Sequence, residues 1–114
     1  MADKAITVVK AVRDEATTVA LTSLATSDKV LVEWDVKDER TVMLFLGGSA
    51  QATVTIKAGN GVQGCNDLVV TVPASTYVAV PINSGGFKNT YGEDVGKVVL
   101  STSAACSFAV VEGQ

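Results

Sequence analysis

Short runs in which apolar and polar residues alternate are the feature that most constrains the fold of this chain. Within residues 30–36 the positions between the apolar ones are mostly charged, and the apolar set is Val30, Val32, Trp34 and Val36. A period of two is typical of a half-buried β-strand. The chain also contains 20 Val and 12 Thr among 114 residues, and β-branched residues fit a pleated sheet better than a helix. The sequence therefore predicts an all-β fold.

Similar runs recur along the chain, separated by turn residues such as Gly47-Gly48, Asn60-Gly61 and Ser84-Gly85-Gly86. This spacing predicts a single-domain β-sandwich, Ig-like or jelly-roll-like, of about eight or nine short strands. Residues 1–16 are expected to form an N-terminal strand or arm, and residues 17–114 the sandwich. The predicted strands are Ala5–Val12, Thr17–Ala25, Val30–Val36, Thr41–Leu46, Ala52–Ala58, Leu68–Val72, Thr76–Ile82, Lys97–Thr102 and Cys106–Val111.

The segment after Asp14 has a helical alternative. Asp14 is a suitable N-cap, and Ala16, Val19, Ala20, Ser23 and Leu24 would share one face of a helix. Its threonines and valine are poor helix formers, so a strand or an extended arm is favoured.

Charge and hydropathy exclude several partners. The net charge is −3 and Lys and Arg are scattered singly, which disfavours nucleic acid and anionic membrane surfaces because both need a basic patch. No run of about 18 apolar residues is present to span a membrane. The first residues lack the apolar core of a signal peptide, so synthesis and retention in a cytoplasm are expected. Only 18% of residues are charged, which suggests that other subunits cover part of the surface.

One predicted strand is a candidate for that covered surface. Thr41–Leu46 is apolar on both of its faces, as expected for a strand buried on both sides or against a partner. The predicted partner contacts are Val42, Met43 and Phe45 on this strand, together with the loop aromatics Phe87 and Tyr91.

The chemical inventory does not indicate an enzyme. The chain contains no His, which removes Ser-His and Cys-His nucleophile pairs. Residues 59–64 match G-x-G-x-x-G, but a strand pattern follows where a dinucleotide site needs a helix. The carboxylates near Glu33 and Glu93 are interpreted as solvated, and Cys65 and Cys106 as reduced thiols. No cofactor and no metal are expected.

The C-terminal two thirds carry an ordered series of short motifs. It consists of Thr53–Gly61, Asp67-Leu68, Val70–Ala74, Phe87-Lys88-Asn89, Gly96-Lys97-Val98 and Ala109–Glu112. Over about residues 41–112 the series resembles small all-β proteins encoded among the head genes of tailed bacteriophages and prophages. Those proteins often read TVTI-x-AG-x-G, then a VPA turn, then an aromatic residue with Lys or Arg and Asn, and a closing hydrophobic strand.

Members of that group usually serve as capsid decoration or auxiliary head proteins. The resemblance implies a structural virion protein that binds the outside of an assembled capsid and reinforces contacts between major capsid subunits. The implied partner is the major capsid protein lattice, with a homo-oligomer on the capsid as an open alternative, and the implied location is the capsid surface. A tail or head–tail connector component and an Ig-like or carbohydrate-binding surface module remain the alternative functions.

Overall fold

The computed structural model of the chain describes residues 2–26, 28–34, 38–60, 66–82, 84–90, 92 and 94–113. A 3₁₀ turn lies at Asp38–Arg40, and a single helical turn, α1, at Ser84–Phe87. The strands are β1 (Ala2–Ile6), β2 (Val9–Ala11), β3 (Thr22–Leu24), β4 (Asp28–Glu33), β5 (Thr41–Gly47), β6 (Ala52–Ile56), β7 (Leu68–Val72), β8 (Tyr77–Val80), β9 (Lys97–Thr102) and β10 (Cys106–Gly113).

These strands form two mixed sheets, and the predicted all-β sandwich is confirmed. The first sheet has the order β1-β4-β9-β6-β7. The second has the order β2-β10-β5-β8, and β3 also pairs with β10. The alternation of valine with threonine and other residues explains the strands. Successive side chains of a strand point to opposite faces, so an inward valine is followed by an outward residue that is polar or smaller.

The N-terminal segment departs from its prediction. Ala5–Val12 was expected as one strand, but the chain makes two strands that belong to different sheets. β1 pairs in parallel with β4, and β2 pairs in parallel with β10. Residues 2–11 therefore contribute one strand to each of the two sheets.

The helical alternative after Asp14 is wrong. Asp14 adopts a positive φ of 63°, a conformation that Asp tolerates better than most residues and that does not cap a helix. Only Thr22–Leu24 of this segment is regular, as β3. The α1 turn was not predicted. Val36, expected at the end of the third clear strand, lies outside the described residues.

The core lies between the sheets and is built from the inward members of each alternating run. Trp34, Phe45 and Phe108 are its largest fully buried side chains. The rings of Phe45 and Phe108 stack with centroids 4.8 Å apart and an interplanar angle of 25°. Each such buried side chain contributes about 1.5–3 kcal/mol relative to an exposed one. Trp34, Val30 and Val32, from the apolar set of the run at residues 30–36, are all buried in this core.

The turn between β7 and β8 is held against the end of β5. The Gly47 N–H donates to the Thr76 carbonyl at 3.0 Å, and the Ser75 N–H donates to the Gly48 carbonyl at 3.0 Å. At Gly47 a Cβ atom would lie 2.0 Å from the Pro73 carbonyl oxygen. Since backbone occupies that space, only glycine fits between β5 and this turn.

We expect Gly47→Ala to lower the free energy of unfolding by about 1–3 kcal/mol, because overpacking against backbone forces the turn away from β5. Gly113→Ala is the matched control, since its nearest neighbour would be 3.8 Å from the new Cβ, and its effect should stay within about 0.5 kcal/mol. Urea unfolding followed by tryptophan fluorescence measures both. Equal losses in the two variants would contradict the close approach at Gly47.

Asp28 joins three strands at one end of the sandwich. Its carboxylate accepts a hydrogen bond from the Ala25 N–H at 2.9 Å and lies 3.6 Å from the Lys4 ammonium. Lys4 also donates to the Ser23 carbonyl at 2.9 Å. Asp28 is only 8% exposed, so these partners replace the water that a buried carboxylate needs.

We expect Asp28→Ala to lower the free energy of unfolding by about 1–3 kcal/mol, because the Ala25 N–H loses its acceptor in a part-buried site. Asp67→Ala is the control: Asp67 accepts from the Ala58 N–H at 2.7 Å, but its side chain is 43% exposed and water can replace it. Urea titration should show a larger loss of unfolding free energy for Asp28→Ala than for Asp67→Ala, with the m-value unchanged in both variants. A larger loss at Asp67 would refute the role assigned to burial.

Candidate functional site

The outer side of the second sheet carries a continuous surface without charged side chains, which we call the apolar face. Alternation places these residues outward because their neighbours in each strand point into the core. The face consists of Val9 on β2, Val42, Leu44 and Leu46 on β5, Tyr77 and Ala79 on β8, and Ser107 and Val111 on β10. Ala109 lies on the same side of β10 but is only 3% exposed.

Strand register brings the members of the apolar face together. Leu44 on β5 lies opposite Ala79 on β8 and Ala109 on β10. Leu46 lies opposite Tyr77, whose side chain is 62% exposed. The leucines are half-buried. Small residues on the flanking strands therefore leave the two leucines as the centre of the face, with the tyrosine at its rim.

The outer side of the first sheet has a different character. Glu33 and Lys97 lie opposite each other on β4 and β9, and Lys29 pairs with Asp94 at 3.0 Å. Thr53 and Thr55 occupy the outward positions of β6. Val99 on β9 and the 61% exposed Val69 on β7 also lie on this side. The outer side of the first sheet is therefore a mixed surface with charged groups, unlike the apolar face.

A groove of about 310 Å³ lies on the outer side of the first sheet, and Lys29, Lys57, Val99 and Leu100 are among the residues that line it. Both lysines have carboxylate neighbours, since Lys57 lies 3.9 Å from Asp67 and Lys29 pairs with Asp94. The nearby carboxylates neutralise the two cations, which disfavours the groove as an anion site.

The structure places the predicted partner contacts in different environments. Val42 lies on the apolar face, half-buried. The prediction is wrong for Met43 and Phe45, which have no exposed surface because they occupy the inward positions of β5. Phe87 is partly buried and packs against the core. Tyr91 lies outside the described residues.

Sequence reasoning missed Leu44, Leu46 and Tyr77 as members of the apolar face. The available signal was alternation itself. If Met43 and Phe45 are inward, then Val42, Leu44 and Leu46 are outward. Deciding between the two sets requires the partner strands, because both sets are apolar in the sequence.

No cluster of metal ligands appears in the described ranges, where no three His, Cys, Asp or Glu side chains come together. Of the G-x-G-x-x-G sequence, residues 61–64 lie outside the described part, as do Cys65 and the carboxylates Asp35 and Glu93. The described part of that loop is bound to α1 and to the segment that follows it. The Gly59 N–H donates to the Gly86 carbonyl at 2.9 Å, and the Thr90 N–H donates to the Asn60 side chain at 2.8 Å.

Cys106 is a free thiol at the start of β10 and is 4% exposed. Its Sγ donates to the Thr102 Oγ1 at 3.6 Å, and that hydroxyl donates to the Ala104 carbonyl at 2.7 Å. These contacts give the thiol a structural role in the connection between β9 and β10.

We expect Cys106 to resist alkylation in the native protein and to react fully in denaturant without reductant, because burial blocks access to the thiolate. Peptide mass spectrometry after iodoacetamide treatment reads Cys106 separately from Cys65. A Cys106 that reacts in denaturant only after reduction would reveal a disulfide.

Comparison with protein-family models gave no match, and comparisons with curated proteins and with solved structures gave none either. The expected relationship to phage head proteins therefore stays a prediction. In the part of the chain that the structure describes, no helix is long and apolar enough to cross a membrane.

Proposed function

We propose that this chain is a structural virion protein of a tailed phage or prophage. In this role it docks on the outside of an assembled capsid and reinforces contacts between major capsid subunits. The motif series over residues 41–112 supports the choice of partner. The choice of surface rests on the apolar face.

The apolar face is the observation that carries the proposal. The apolar face is centred on Leu44 and Leu46, and Tyr77 at its rim is 62% exposed. Burying such a surface against a partner is favourable, because apolar area is removed from water. Charged side chains, which would have to be desolvated on docking, are absent from its described members. Tyrosine is also enriched in protein interfaces relative to the rest of the surface.

The size of the apolar face favours attachment to a repeating partner. Four strands about 4.8 Å apart, each contributing about five residues at about 3.3 Å, span roughly 300 Å². A standard interface buries about 800 Å² per partner. One copy on one subunit would therefore bind weakly, whereas a site formed by adjoining subunits of a shell adds contacts that a free subunit lacks.

The test compares binding to undecorated expanded shells and to free major capsid subunits from the phage or prophage that encodes the chain, by co-sedimentation and gel filtration. We expect the wild-type protein to bind shells at least about tenfold more tightly than free subunits, since each 1.4 kcal/mol of added contact is a factor of ten. Leu44→Lys should lower shell binding by at least about tenfold, because it places a charge in a surface that becomes dry.

Thr55→Lys is the matched control, since it adds the same charge at a half-buried outward position of the first sheet and should leave shell binding unchanged. Circular dichroism confirms that both variants are folded. Absence of wild-type binding to shells would refute the capsid proposal. Equal binding by the wild type and Leu44→Lys would show that the apolar face is not the surface that binds the shell.

A further inference from the structure

β7 is an edge strand that lacks the usual protection against pairing. It pairs with β6 over five consecutive residue pairs, from Leu68 to Val72, and no other described strand lies beyond it in the first sheet. Its free edge therefore presents backbone N–H and C=O groups that another strand can bind. The unbroken register leaves no bulge to distort this edge.

The sequence of β7 adds no charge that would deter pairing. Residues 68–87 contain no Asp, Glu, Lys or Arg, whereas the 18% charged content of the chain would place about three or four in a stretch of that length. On β7 itself, Val69 is 61% exposed and Thr71 is exposed. A lysine or a proline within the strand is the usual protection, and Leu-Val-Val-Thr-Val has neither.

The remaining edges of the sandwich differ from β7. β1, at the opposite edge of the first sheet, includes Asp3 and Lys4 in its sequence. In the second sheet, β2 and β3 are each three residues long and β8 is four residues long. Length, continuity and lack of charge therefore coincide at β7.

We propose that β7 pairs antiparallel with β7 of a second copy of this chain, so that two first sheets join into one continuous sheet. The pairing is two-fold symmetric about Val70. Val69 then lies opposite Thr71 of the second copy on the outer side, and Val70 lies opposite Val70 on the core side. Leu68 lies opposite Val72, so no pair brings like charges together, and β-branched residues occupy four of the five positions of each strand.

A second copy fits this edge better than an unrelated peptide because the strand is complementary to itself. The two-fold axis places the inward residues Leu68, Val70 and Val72 of both copies on one side of the joined sheet. The turn from Pro73 to Thr76 connects β7 directly to β8, so the uncharged edges of both layers lie on the side that the second copy approaches.

The pairing is expected to be reversible. A five-residue edge is smaller than the contact of about 800 Å² per partner found in stable complexes. The dissociation constant should therefore lie above about 1 μM. The pair does not depend on the proposed capsid role, because it uses the sheet edge rather than the apolar face and forms without any shell.

The experiment is sedimentation velocity of the purified full chain from about 5 μM to about 1 mM, with hydrogen exchange at both ends of that range. The wild-type protein should shift from monomer to dimer, and amides of residues 68–72 should gain protection with concentration while those of 97–102 do not. Val69→Lys should raise the dissociation constant by at least about tenfold, since each dimer then holds two lysines at its new seam.

Val95→Lys is the control, because Val95 is a similarly exposed valine, at 54%, outside the edge strands. It should dimerise like the wild type. Several results would overturn the pairing: a monomer at every concentration, a dimer unaffected by Val69→Lys, protection gained elsewhere than β7, or growth beyond a dimer. Shell binding measured on the same samples shows separately whether the capsid proposal holds.

Discussion

The stacking of Phe45 on Phe108 is the contact on which the remaining surfaces depend. The two residues lie directly opposite each other in the ladder between β5 and β10. Because side chains alternate, a slip of β5 by one residue along β10 would turn Leu44 and Leu46 inward and would turn the Phe45 ring outward, away from Phe108. The aromatic pair therefore fixes the register of the second sheet. It also determines that Leu44 and Leu46, rather than Met43 and Phe45, are on the solvent side of β5.

The sandwich separates its surfaces by chemistry. The outer side of the first sheet carries charged and hydroxyl side chains beside Val69 and Val99, whereas the members of the apolar face on the second sheet carry no charge. The lateral edge formed by β7 is uncharged as well. If two copies join at that edge, the two-fold axis is perpendicular to the sheets and both apolar faces point in the same direction. Two modest contact surfaces would then engage a repeating partner together, which raises avidity without any new contact.

Local pattern was sufficient for the fold class and for strands such as Leu68–Val72 and Lys97–Thr102, because alternation and β-branching are properties of neighbouring residues. It was insufficient where long-range pairing decides. Met43 and Phe45 were assigned to the surface because their partners on β10 are distant in sequence. The break between β1 and β2 was likewise invisible, since it arises from each half joining a different sheet. The α1 turn was missed because its glycines resemble a loop.

The parallel ladder between β2 and β10 has a consequence for biosynthesis. Val9 pairs with Val111, so a strand near the start of the sequence waits about 100 positions for its partner. A ribosome adds about 5–20 residues per second, so this ladder closes only several seconds after β2 has been made. During that interval β2 is an unpaired strand, and the second sheet lacks its central strand β10. The second sheet is thus completed only after β10 has been made, and its assembly is governed by contacts that are remote in sequence.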